Sequence, residues 1–204
     1  MLRRVLRWLL AGYPEAEELV MAYGSYCTQI DPTGSGGMRC GPACCASVLL
    51  DAGWQSDPWQ LTLQLDSEVP GAADGTTSAD LIALMDKYGF DGRTWQHWQE
   101  MRDALDQGAA VLILCDNRYL TPRSYPPGAA WEAMHWIRAV VASDRDDLVY
   151  IYDPLTFLPQ SAGPTYQGPM ASSFDGLNDA ISATPYWESG IILTSRVGIN
   201  LNQR

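Results

Sequence analysis

Apolar positions along this chain follow two regimes. In the first half they recur at helical spacing. Leu2, Val5, Leu6, Leu9 and Leu10 make one apolar stripe with arginines on the wet face, which predicts a short amphipathic helix. Ala43 to Leu50 is small and apolar throughout and predicts a buried helix closed by Gly53. Asp57-Pro58 reads as an N-cap and first helical position, and Thr77 or Ser78 opens a helix through Tyr88 whose apolar face is Leu81, Ile82, Leu84 and Met85. Trp98 to Gln107 is a further amphipathic helix, stopped by Gly108.

Beyond Gly108 the pattern changes to runs suited to strands. Ala109 to Leu114 is continuously apolar and predicts a strand buried on both faces. His135 to Ala142 and Leu148 to Tyr152 are rich in branched and aromatic residues and predict a hairpin turning at Ser143–Asp147. Phe174 to Ile181 reads as a short helix and Gly190 to Ser195 as a last strand. Helices lead and antiparallel strands follow, so the fold class is α+β. The chain has 204 residues, enough for one domain with a full core. Residues 1–25 are expected to form a helical arm, and 26–204 the domain itself.

Charge removes one class of partner. The net formal charge is −11, which argues against a nucleic-acid surface. No apolar run is long enough for a transmembrane span, and Arg7 interrupts the N-terminal run too early for a signal peptide. Five cysteines, two of them adjacent, give no paired framework, so disulfides are not expected. With no CxxC pair and only His97 and His135 as imidazoles, a structural zinc site is not expected either, and no cofactor motif is present.

The candidate chemistry centres on Met38-Arg39-Cys40-Gly41-Pro42-Ala43. Pro42 suits the first turn of a helix, so Cys40 falls at a helix N-terminus, where backbone N–H groups and the helix dipole favour a thiolate. Cys44 and Cys45 read as buried filler. A thiolate nucleophile needs a base, and the base needs an orienting group. His97 stands just before a helix and reads as a surface residue. His135 opens a strand behind the long loop Asn117–Ala130, and Asp153 closes the next strand, so a hairpin makes the two neighbours. Gln29, upstream of the glycine-rich approach to Cys40, is the side-chain candidate for stabilising an oxyanion together with the Cys40 N–H.

Gln29, then Cys40-Gly41-Pro42-Ala43, then His135-Trp136-Ile137, then Tyr152-Asp153-Pro154 resembles the papain-like cysteine peptidases, and within them the double-glycine leader peptidase-like branch associated with bacteriocin processing. The tract Leu105 to Ile113 is similar to that branch's helix-Gly-strand step. The resemblance spans roughly Tyr26 to Ser195. It implies a papain-like fold, with the Cys-bearing core helix packed on a C-terminal antiparallel sheet. It also implies Cys40 as nucleophile, His135 as base, Asp153 as its orienter and Gln29 in the oxyanion hole. The expected activity is hydrolysis of a peptide or isopeptide bond in a peptide or protein substrate. Transamidation by the same residues is an alternative. So is a catalytically silent binding or assembly module, for example of a phage particle, with the N-terminal helix meeting a partner protein. The setting expected is cytoplasmic or particle-associated.

Overall fold

The computed structural model describes residues 27–29, 38–70, 74–120, 134–143, 147–155, 170–186, 189–199 and 201. The expected N-terminal arm, the glycines before Met38, most of the loop after Asn117 and the centre of the 143–147 turn lie outside them.

The first helix, α1 (Cys40–Asp51), is buried at every position. Its small residues let neighbours approach from all sides, and Gly53 follows it with φ +98°, a conformation that suits glycine. Helix α2 (Pro58–Glu68) starts as its sequence predicts: Asp57 accepts from the Gln60 N–H at 3.0 Å and Pro58 takes the first position. Helix α3 (Ser78–Lys87) opens with a reciprocal cap. The Asp80 amide donates to Thr77 Oγ1 at 3.2 Å, and the Thr77 amide donates to Asp80 Oδ2 at 2.9 Å.

Strand β1 (Phe90–Trp95) precedes helix α4 (Trp98–Asp106), and then come β2 (Ala110–Asp116), β3 (Met134–Ser143), β4 (Leu148–Tyr152), β5 (Met170–Ser173), helix α5 (Phe174–Ser182) and β6 (Gly190–Ser195). The six strands form one antiparallel sheet in the order β1-β6-β2-β3-β4-β5. Two of these strands are not evident in the pattern. β1 alternates buried and wet positions around a glycine and two charges, and β5 is a four-residue edge. The last strand also does not append to the edge. It inserts between β1 and β2, where the absence of a side chain at Gly190 leaves room for the Trp95 indole to donate to Leu112 O at 3.2 Å.

The sheet separates two cores. Ala110, Leu112 and Leu114 of β2 face α1–α3, together with Leu49, Leu65, Leu81 and Trp136. Val111, Ile113 and Cys115 face the other way, toward Met101 of α4 and Leu177 of α5. Covering on both sides is why β2 reads as an unbroken apolar run, all seven residues being buried. Each leucine fully buried in this way contributes about 1.5–3 kcal/mol. No helix among the described residues is long and apolar enough to cross a membrane.

Candidate active site

Three elements meet at Cys40. The N-terminus of α1 carries the thiol, the start of β3 carries His135, and the residue after β4 is Asp153. Arg39, at the N-cap position of α1, donates Nε to Asp66 Oδ2 at 2.9 Å and lies over the Trp59 ring at 5.9 Å, so the entry to α1 is fastened to α2. Cys40 is then the first helical residue, and its amide N–H has no acceptor within the helix.

β3 is held against α1 by polar contacts of low exposure. The Cys44 thiol, one turn below Cys40, donates to Trp136 O at 3.5 Å, while from the neighbouring β2 the Cys115 thiol donates to His135 O at the same distance. Arg138 donates Nη1 to Ser47 Oγ at 2.7 Å and to Asp51 Oδ2 at 2.5 Å, all three residues being buried. The helix that bears the cysteine and the strand that bears the histidine are thereby fixed in register.

His135 Nε2 and Asp153 Oδ1 are 2.7 Å apart, and both residues are buried. They are not directly opposite in the ladder. Arg138 pairs with Tyr152, and a bulge between Ala139 and Val141 shifts the register, so His135 meets Asp153 on the diagonal. Asp153 is itself held by the Leu155 N–H at 2.8 Å. With Nε2 committed to Asp153, the other ring nitrogen is the one left to Cys40, whose shift His135 governs by hydrogen bonding and charge.

This arrangement favours an ion pair. Burial is the largest influence on Cys40 and works against a thiolate. The His135 hydrogen bond and charge, aided by the Trp136 and Gly41 backbone, outweigh it and hold the thiol below its ordinary value. Burial likewise works against an imidazolium at His135. The Asp153 carboxylate, followed by Cys40, outweighs it and raises the ring to about 10. The other thiols behave oppositely: burial pushes Cys44, Cys45 and Cys115 well up, and Cys27 to about 12, so they stay protonated. All five cysteines are free.

Of the residues singled out from sequence, Cys40, His135 and Asp153 come together. Gln29 is buried in the same neighbourhood: its N–H donates to Pro154 O at 3.1 Å, and Thr28 Oγ1 donates to the same oxygen at 3.2 Å. His97 is exposed at the start of α4, away from this group. Among the described residues no group of three or more His, Cys, Asp or Glu is disposed to hold a metal ion.

Beside Cys40 opens a groove of about 250 Å³. Leu114, Met134, Trp136, Met38 and Tyr186 line it together with the segment Asp74–Ser78. That segment carries no sequence signal beyond the capping of α3. Its proximity to Cys40 depends on two long-range contacts: the Trp136 indole donates to Thr76 O at 2.9 Å, and the Thr76 hydroxyl rests on the bare Cα of Gly41.

No family model matches the sequence, and no curated protein does. Solved structures match the fold. A C39-like peptidase candidate from Bacillus anthracis superposes with a TM-score of 0.60 at 15% identity, over 86% of this chain and 96% of that one. The peptidase domain of Streptococcus ComA, a bi-functional ABC transporter involved in a quorum sensing pathway, superposes with a TM-score of 0.51 at 17% identity, over 84% of this chain and 96% of that one. The chain therefore has the papain-like fold of the C39-like peptidase domains.

Proposed function

We propose that the chain is a cysteine peptidase acting on a peptide or protein substrate, with Cys40 as nucleophile, His135 as general base and acid, Asp153 as its orienting carboxylate and Gln29 as an oxyanion donor. What supports this reading is the buried His135–Asp153 bond at 2.7 Å, with Cys40 coupled to the same imidazole at the side of an open groove. A binding module has no need of a depressed thiol paired with a raised imidazole, so this series favours an enzyme over a silent scaffold.

The Cys40 thiolate attacks the substrate carbonyl carbon, and the carbonyl π electrons move onto oxygen. The Cys40 N–H, with the Gln29 side-chain amide, is the donor set for that oxyanion. Collapse expels the amine, which takes its proton from the His135 imidazolium. The acyl-enzyme is then resolved by water, whose proton passes to the now neutral His135, and the carboxylic acid product leaves. Asp153 keeps Nε2 engaged throughout, so the other ring nitrogen stays directed at the sulfur and the leaving group.

The test is labelling with iodoacetamide-alkyne at pH 7, combined with amine release from a degenerate peptide pool. Label on Cys40 and amine release that are both lost in Cys40→Ala are the expected result. Label that persists in Cys40→Ala, or a labelled Cys40 with no amide cleaved in the pool, would overturn the assignment.

A further inference from the structure

We propose that the groove beside Cys40 takes the side chain of a lysine or arginine flanking the scissile bond, and that Asp74 selects it. This rests on the peptidase reading and narrows its substrate class.

The buried part of the groove's lining is largely apolar, and its exposed part sets Asp74 and Thr77 beside Met38 and Tyr186. Leu114 and Trp136 form its inner wall and are 6% and 2% exposed. Met38 and Tyr186, at 39% and 53%, form its outer wall and are two of the large apolar side chains this protein leaves in water. Asp74, also exposed, is the one carboxylate among the described lining residues, and none of those is cationic. A side chain with an apolar stem and a cationic tip fits that gradient: the methylenes pack on Leu114, Met134 and Trp136 while the head group stays wet at the rim. The exposed Tyr186 ring offers the head group a second attraction through its π face. An acidic side chain would meet both Asp74 and the Cys40 thiolate with like charge.

The wall that carries Asp74 is built rather than incidental. Gly75 takes φ +96°, which bends the chain back after Asp74. Thr76 is held by the Trp136 indole and rests on Gly41, next in sequence to Cys40. Thr77 is then locked by the reciprocal cap of α3. The backbone that carries Asp74 is thus tied, two residues further on, to the residue adjoining the nucleophile. A surface loop without such ties would give its charge no defined place relative to the sulfur.

Two measurements on the full chain test the inference. In the first, Cys40 is modified with methanethiosulfonate reagents bearing an ammonium or a sulfonate group, and the rates are compared. The ammonium reagent is expected to react roughly five- to tenfold faster, with the ratio falling toward one in Asp74→Asn and inverting in Asp74→Lys. In the second, two N-acetylated degenerate peptide pools are compared, one containing arginine and the other citrulline, its uncharged isostere, in the same places. The arginine pool is expected to be cut faster by a similar factor, with cuts clustered beside arginine, and Asp74→Asn is expected to erase the difference. Equal rates for the two reagents, or equal cleavage of the two pools, would overturn the role of Asp74 while leaving the peptidase reading intact. A reagent preference that depends on Asp74, with neither pool cut, would overturn the peptidase reading and leave a cation-selective groove.

Discussion

Arg138, on β3, donates to Asp51 on α1 at 2.5 Å, with both side chains almost entirely out of solvent. The bond joins the strand that presents His135 to the helix that presents Cys40, so it sets the distance across which the candidate site works. Ser47 accepts from the same guanidinium nitrogen at 2.7 Å, which ties Arg138 to α1 at two points one turn apart.

Removing one partner leaves the other charged and buried. Arg138→Ala is expected to destabilise the fold by about 3–5 kcal/mol, whereas the double replacement Arg138→Met with Asp51→Leu is expected to cost far less or nothing. Urea denaturation of both variants checks this; equal losses in the single and double variants would contradict it. If the pair also positions the site, the double variant will fold yet alkylate Cys40 more slowly at neutral pH.

The pH dependence follows from the two shifts at the site. His135 is raised from 6.5 to about 10, so its contribution to stability is full below 6.5 and is lost as pH rises toward 10. Cys40 is lowered from 9.0, so its contribution is full above 9 and is lost as pH falls through its depressed value. The two slopes cancel only where both act, above 6.5 and the depressed Cys40 value and below 9. Stability is therefore expected to be level just below pH 9 and to fall as pH rises from 9 toward 10, and the rate of Cys40 alkylation should stay high below pH 9. An alkylation profile that rises only near pH 9 would contradict the ion pair.

Asp153→Asn keeps the shape of the side chain and removes the charge that raises His135. The His135 ring should then titrate lower, and the thiolate at Cys40 lose its counter-ion over part of the neutral range. A fall in the alkylation rate of roughly ten- to a hundredfold at pH 7 is expected, recovering toward pH 9. An unchanged rate would mean that Asp153 only closes the strand end through Leu155.

Gly41 allows the Asp74–Ser78 wall to sit against α1. A methyl group there would overlap Thr76 Oγ1 and stand 2.9 Å from Leu81 Cδ2. Gly41→Ala is expected to destabilise by about 1–3 kcal/mol and to displace the wall, read as a lower Tm together with faster proteolysis near residue 75. A Tm equal to that of the parent would show that the wall yields freely.

Part of this was legible in the chain before any coordinates. The caps at Asp57 and Thr77, the glycine stops at 53 and 108, and the buried run of β2 depend on near neighbours, and each stands where its pattern predicts. Cys40 could be found because Gly-Pro after it marks a helix start, and His135 and Asp153 because each ends a strand. β1 escaped notice because its outward positions are polar and a glycine interrupts it, and β5 because four residues carry too little alternation. Nothing in the local pattern marks Arg138 as a partner for α1, and the Gly-Thr-Thr-Ser segment signals no more than a helix cap.

Taken alone, the sequence determined the helices and four of the six strands, and which few side chains have the chemistry for acyl transfer. Those properties come from periodicity and capping over a handful of bonds. The insertion of β6 between β1 and β2, the diagonal meeting of His135 and Asp153 across a bulge, and the Asp74 wall beside Cys40 were decided only by tertiary structure. Each joins residues far apart in the chain, and the choice among such pairings is made when the whole apolar surface is buried at once, a condition no local stretch encodes.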